Sequence, residues 1–170
     1  ALIGDIVINE LMYKPISGND DDQYIELYNK GTNLVSLEGW MFTAGISFTF
    51  PANTTLAPDS YLVIARNLTN LLAKYPNLNA GNTLGNYGGA LAHNGERVAL
   101  ARPQILTGTN GQGAMTTNTI YVVEDEVTYG TGGRWGQWAN GGGSSLELTD
   151  PWANHRVAAN WADSDETQKS

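Results

Sequence analysis

Three acids in this chain stand in rows that otherwise read as buried strand. Counting residues 5–13 by twos puts Glu10 in line with Ile6, Ile8 and Met12, with Val7, Leu11 and Tyr13 on the other side. A carboxylate in such a row costs on the order of several kcal/mol unless it is hydrogen-bonded or paired. Glu10 is therefore expected as a structural acceptor for backbone N–H groups or for an arginine such as Arg97. The competing chemistry is a metal ligand or general base shared with Glu26. Glu26 alternates with Tyr24 and Tyr28, which favours a solvated or tyrosine-bonded carboxylate. Asp125 shares a row with Val123 and Val127 and is read in the same way as Glu10.

Asp20, Asp21 and Asp22 concentrate negative charge in one loop, the oxygen-rich setting in which Ca²⁺ binds. Their spacing lacks the sixth-position glycine and ordered oxygens of an EF-hand, so a solvated acidic turn is favoured over a weak Ca²⁺ site. His93 and His155 are the only imidazoles and have no neighbouring ligands at zinc spacing. Both are expected as loop or tail residues. Ser144, His93 and Asp150 can be joined into a triad only on paper, because no nucleophile elbow surrounds the serine. The glycines around 85–89 and 130–143 fit neither a phosphate loop nor a dinucleotide fingerprint.

Aromatic rings offer a different chemistry. Trp135 and Trp138 lie in one Gly-rich stretch and Tyr87 in another, and exposed rings stack on sugar faces. The alternative is that the tryptophans plug an open end of the fold. Trp40 and Trp161 are expected to pack in the core or at its edge. Asn53 and Asn67 begin glycosylation sequons, which arise often by chance.

The elements that must carry these residues are mostly strands. Period-two alternation runs through residues 5–13 and 23–29, with a turn-rich stretch between them. A hairpin about Ala44–Gly45 joins 39–43 to 47–50. Residues 61–66, 96–101, 120–129 and 145–149 complete the strand set. Within 120–129, Tyr121, Val123, Val127 and Tyr129 fall on one side. Asn67 is placed to cap one short helix, about 67–75, with Leu68, Leu71 and Leu72 inward and Pro76 as its stop. Residues 77–95 read as a Gly/Asn-rich excursion and 103–119 as a long polar loop. The pattern is all-β, an antiparallel β-sandwich with one short helix.

Composition narrows the function classes. The 170 residues fit one domain, with net charge −8, only nine Lys and Arg, and no cysteine. Nucleic acid and anionic membrane surfaces are disfavoured as partners, because phosphate contacts need cations. Disulfides and thiolate metal sites are excluded. No apolar run approaches the ~20 residues of a membrane span. Ala1 leads directly into the first strand pattern without an export signal, which reads as a mature or excised segment.

Eight pieces occur in one order: IVINELMYKP at 6–15, YIELYN at 24–29, LEGW at 37–40, FTFP at 48–51, LAPDSYLV at 56–63, NGERVAL at 94–100, VTY at 127–129 and SLELTDP at 145–151. In order and spacing they resemble the lamin-tail domain family, of the type found in bacterial exported proteins. The resemblance runs from about Asp5 to Trp161. It implies an immunoglobulin-like sandwich over 1–161, a polar tail or linker to a following domain over 162–170, and a non-catalytic role. Two departures stand out. Residues 103–119 exceed the tight hairpin typical of the family, and the basic surface of chromatin-binding lamins is lacking.

The expectation is an accessory module of a larger exported or cell-surface protein, with no cofactor beyond a weak Ca²⁺. Its partners would be protein or polysaccharide, and neighbouring domains of the same chain. Its working surface would be the loops 14–23, 103–119 and 130–143, gathered at one end of the sandwich. The rival readings are a divalent-metal phosphoester hydrolase built on Glu10, Glu26 and the loop aspartates, and a dedicated carbohydrate binder built on Trp135, Trp138 and Tyr87.

Overall fold

The computed structural model describes residues 4–164. Twelve strands and one α-helix follow in the order β1 (Ile6–Met12), β2 (Tyr24–Asn29), β3 (Val35–Ser36), β4 (Met41–Ala44), β5 (Phe48–Thr49), β6 (Thr55–Leu56), β7 (Tyr61–Ala65), α1 (Leu68–Lys74), β8 (Thr83–Gly85), β9 (Glu96–Thr109), β10 (Met115–Tyr129), β11 (Leu146–Leu148) and β12 (Trp161–Asp163). Single 3₁₀ turns cover Asp20–Asp22 and Ala158–Asn160. One sheet has the order β12-β11-β1-β2-β7-β8 and the facing sheet β10-β9-β4-β5, with β3 and β6 forming a small separate pair.

Between the two sheets lies a continuous apolar interior. It takes Ile6, Ile8 and Leu11 from β1, Ile25 and Leu27 from β2, Val98 and Leu100 from β9, and Val127 and Tyr129 from β10. Trp40, Phe50 and Trp161 belong to the same buried cluster. A second, smaller cluster lies on the outer face of the six-stranded sheet, where Met12, Tyr24, Val63 and Ala65 meet Leu71 of α1. The Asn67 side chain caps that helix by accepting from the Asn70 N–H at 3.1 Å. Leu71 is the one buried leucine of α1; Leu68 and Leu72 lie half-buried, less deep than the sequence suggests. The helix also carries the chain across to β8, which pairs with β7 in parallel (Val63 beside Thr83). A parallel neighbour needs such a crossover. The sequence reading missed it inside the 77–95 stretch.

Two β-bulges change which residues face inward. In β1 the pairing steps from Ile8–Leu27 to Glu10–Glu26, leaving Asn9 as the extra residue. Downstream side chains switch faces, so Ile6 and Ile8 align with Leu11 and Tyr13, and Glu10 aligns with Met12 on the helix side. In β10 the pairing steps from Val123–Ala101 to Asp125–Leu100 across Glu124. Asp125 and Val127 therefore point in while Tyr121 and Val123 are exposed. The single inward row expected over 121–129 is broken there.

Residues 103–119 are not a loop. β9 and β10 continue past the sandwich as an antiparallel ribbon, paired from Tyr121–Pro103 to Met115–Thr109. Its turn is organised by Asn110, whose side chain accepts from the N–H groups of Gln112 and Ala114 at 2.9 and 3.0 Å. The ordered chain also extends past Trp161. Ala162 and Asp163 pair with Glu147 and Leu146 in β12, so these two residues belong to the sheet rather than to a tail. Residues 165–170 of the expected tail lie outside the described residues.

Trp40 is buried against this interior, so Trp40→Ala is expected to lower the unfolding free energy by about 3–5 kcal/mol. A denaturant melt showing a loss under about 1 kcal/mol would remove Trp40 from the core.

Candidate functional site

Asp125 is held by three donors at once. Its Oδ2 accepts from the Ile8 backbone N–H at 2.7 Å, and its Oδ1 meets His155 Nδ1 at 2.5 Å and the Glu126 N–H at 2.9 Å. Strand β11 pairs only with Glu10 and Leu11 of β1, so among the described residues no strand of the same sheet pairs with the earlier part of that edge. The bulge of β10 supplies acceptors instead. Asp125 takes Ile8 N–H, and Glu124 takes Ile6 N–H. Burial raises the Glu124 carboxyl above its ordinary value despite that bond and the nearby Arg102. His155, expected as a bland loop or tail residue, is almost fully buried. Its Nε2 faces the Pro151 carbonyl at 3.3 Å, and its own carbonyl accepts from Trp161 Nε1 at 2.8 Å. Sequence reasoning missed this pair because 30 residues separate its members. No nucleophile stands on the imidazole. Ser144 Oγ bonds the Ser164 carbonyl and His93 bonds Asp20, so the paper triad is not assembled.

Glu10 and Glu26 are brought together as cross-strand partners, with Glu147 on the other side of Glu10. Like charges placed directly opposite are destabilising, and here hydroxyl donors stabilise the central acid. Tyr24 Oη donates to Glu10 at 2.7 Å and Ser145 Oγ donates to the same oxygen. Burial, followed by the Glu10 carboxylate, holds the Tyr24 hydroxyl well above its ordinary value, so it stays a donor. Arg97, the cation expected for Glu10, binds Glu126 instead at 2.6 Å. Glu26 accepts from Asn9 Nδ2, the bulged residue, at 3.0 Å. The acids open onto a cleft of about 460 Å³ beside the end of α1, lined also by Tyr75, Leu78 and Val63.

The loop aspartates are not brought to that cleft as free ligands. Asp21 pairs with Arg66, Asp22 with Lys74 at 2.8 Å, and Asp20 with His93 at 2.7 Å. Asp22 is also bonded by Ser17 at 2.5 Å and Asn70 at 2.6 Å. Burial opposes its charge, but the bonds from Lys74, Ser17 and Asn70 win and lower its pKa. The turn is thus a latch between residues 17–22 and α1, not a solvated acidic loop. Among the described residues, no three Asp, Glu or His side chains are placed to share one metal ion.

The aromatic candidates separate. Tyr87 is only 3% exposed and donates to Gln23 Oε1 at 3.0 Å, so it presents no ring to a sugar. Trp135 packs against the interior. Trp138 is 63% exposed. Its loop is pinned by Asp163, which accepts from the N–H groups of Trp138 and Ala139 at 3.0 and 2.7 Å.

The expected loop surface also divides. Loops 14–23 and 130–143 meet, with Lys14 Nζ on Asn140 Oδ1 at 2.9 Å. The ribbon of β9 and β10 leaves from the other end. Ile8 lies beside Asp125 and the Tyr13 ring sits 4.6 Å from that of Tyr129, so β1 and β10 run side by side in one direction. Residues of β10 before Glu124 therefore project past the start of β1. This arm spans Pro103 to Thr109 on one strand, roughly 24 Å at about 3.4 Å per residue. Residues 104–121 are exposed throughout, including Ile105 at 69% and Met115 at 79%.

Residues 1–165 match the family described as Lamin Tail Domain. The chain belongs to the lamin tail domain family. Its immunoglobulin-like sandwich and the order of its eight sequence pieces agree with that assignment. A solved structure with a similar fold is a DUF4876 family protein from Bacteroides thetaiotaomicron, with a TM-score of 0.54 and 13% identity, covering 99% of this chain and 70% of that one. No curated protein matches the chain. No helix among the described residues is long and apolar enough to cross a membrane.

Two variants probe these contacts. Asp125→Ala leaves His155 and two backbone N–H groups without their acceptor inside the fold, and should cost about 3–5 kcal/mol in a denaturant melt. A loss below about 1 kcal/mol would show that the carboxylate is not a strut. Asp22 has a lowered folded pKa, so its contribution is present above the ordinary value of 3.8 and lost as pH falls through the lowered one. Lys74→Met should therefore lower the melting temperature at neutral pH, with the gap from the parent closing in acid. A gap that is constant with pH would contradict the latch.

Proposed function

We propose that this lamin tail domain is a non-catalytic interaction module of a larger exported protein, and that it contacts protein through the β9–β10 arm. The observation that carries the reading is the arm itself. On a chain of net charge −8, residues 103–121 contain no Asp, Glu, Lys or Arg. They expose Ile105, Leu106, Met115, Ile120 and Tyr121 on a ribbon whose strands, among the described residues, pair only with each other beyond Ala101. Exposed apolar groups gathered on one projecting element mark contact surfaces. The acids that suggested catalysis serve instead as acceptors for Ile8, Tyr24, Ser145 and His155. The likeness to a bacterial protein's fold and the absence of cysteine support export.

Trp138 favours a second reading, in which the opposite end contacts polysaccharide. Its exposed ring lies in a Gly-rich loop that meets the loop carrying the exposed Ile16, a setting in which a ring can stack on a sugar face.

The two surfaces are tested apart. In one variant residues 104–119 are replaced by a short turn; the other is Trp138→Ala. Binding to the other domains of the parent protein should fall at least tenfold in the first variant, with the body's melting temperature kept. Binding on a glycan array should fall in the second if the sugar reading holds. Turnover of phosphoester, glycoside or peptide substrates that is lost in Glu10→Gln would overturn the non-catalytic reading.

A further inference from the structure

The arm has two open edges. β9 pairs with β4 only as far as Ala101, and β10 is the outermost strand of its sheet. Among the described residues, no strand pairs with the ribbon beyond Ala101 on either side, so its backbone N–H and C=O groups are open to a further strand there. Proteins usually blunt such edges with lysine, proline or a bulge. On β10 the stretch Met115–Tyr121 has none of these. It carries no charge and no proline, and the bulge comes later at Glu124. Thr116, Thr117, Thr119 and Ile120 are β-branched, which suits a paired strand.

We propose that β10 of the arm pairs antiparallel with β10 of a second copy of this chain, about a two-fold axis through Asn118. The inference rests on the arm being a contact element and names its partner. A two-fold pairing sets a segment against itself, so a charge on the axis faces its own copy and any other charge in the segment lies within a few residues of its symmetry mate. This chain is acidic, yet the segment that would meet itself is neutral. Centring on Asn118 places Met115 of one copy opposite Tyr121 of the other, Thr116 opposite Ile120, and Thr117 opposite Thr119. A thioether meets an aromatic ring, and β-branched side chains meet each other. The first acid of the body, Glu124, then lies by the uncharged turn of the other copy. The two acidic bodies stand at opposite ends of the joint. Tyr121 of one and Tyr121 of the other are roughly 20 Å apart at about 3.4 Å per residue. That is beyond the Debye length of about 8 Å at physiological salt, so the repulsion between bodies is screened. The product is a continuous four-stranded arm, β9-β10-β10-β9.

Sedimentation velocity of the 170-residue chain at high micromolar concentration tests this. The expected species has twice the 18.3 kDa monomer mass. Asn118→Lys sets two ammonium groups against each other on the axis and should return the monomer. Thr107→Lys, on the β9 side, should leave the dimer. The chain has no cysteine, so Asn118→Cys is a clean reporter. It should oxidise to a disulfide-linked dimer at least tenfold faster than Thr107→Cys. A monomer at every concentration, or a dimer that persists in Asn118→Lys, overturns the proposal. Loss of partner binding on trimming the arm of a monomeric chain would leave the contact reading standing and this one fallen.

Discussion

The fold depends on a carboxylate placed where two bulges meet. Asn9 interrupts β1 and Glu124 interrupts β10, and the Asp125 side chain bridges the two strands at that level. Each bulge alone would leave a strained, half-paired edge. Together they turn a defect in hydrogen bonding into a link between the sheets. The same carboxylate engages His155 and, through the His155 carbonyl, positions the Trp161 indole at the start of β12. One buried acid thus orders the first strand, the last strand and the facing sheet.

This use of acids accounts for the chemistry suggested by residue type. Removing one partner of a buried charged contact leaves the other desolvated and unpaired, so such residues resist change for structural reasons alone. Glu10 shows the same logic on the outer face. Tyr24 and Ser145 donate to it, and the raised Tyr24 pKa keeps that donor protonated. Asp20, Asp21 and Asp22 form the third instance, with Arg66 and Lys74 as the cations on Asp21 and Asp22 and the His93 ring bonded to Asp20. A chain of net charge −8 has few cations, and it commits two of its nine Lys and Arg side chains to this one turn.

What the sequence made legible follows from burial. Strands with one dry face alternate visibly, so β1, β2, β7 and β11 could be read, as could the family through its ordered pieces. The Asn67 cap and the Leu71 contact were equally plain, because a capping side chain and a helical apolar stripe are local signals. Bulges were not legible. One inserted residue reverses the sense of every side chain after it, and nothing in ELM or VEDEV marks which residue is extra. For that reason Glu10 keeps Met12 but not Ile6 and Ile8 from its expected row, and Asp125 keeps Val127 but not Val123. The Asp125–His155 pair was hidden because tertiary packing brings it together. The arm was misread because alternation reports burial, and a ribbon exposed on both faces has none. Its available signal was the Asn110–Gly111 pair between threonine-rich runs, a hairpin signature of backbone chemistry rather than hydrophobicity.

An isolated two-stranded ribbon is marginal in water, since hydrogen bonding to solvent competes with its ladder and no dry face compensates for the lost chain entropy. The arm gains some order from its continuity with the sandwich through Ala101 and Leu100, whose pairing with Val123 and Asp125 fixes its register. The remainder of its length contributes nothing to the interior. A folded domain has no thermodynamic need for residues 103–121, and a short turn from Arg102 to Val122 would close β9 on β10 with less loop entropy. An element that adds no core, carries no charge and keeps both edges open gains stability when something pairs with it. That energetic incompleteness, more than any row of acids, is the physical basis for proposing the arm as the contact element of this domain.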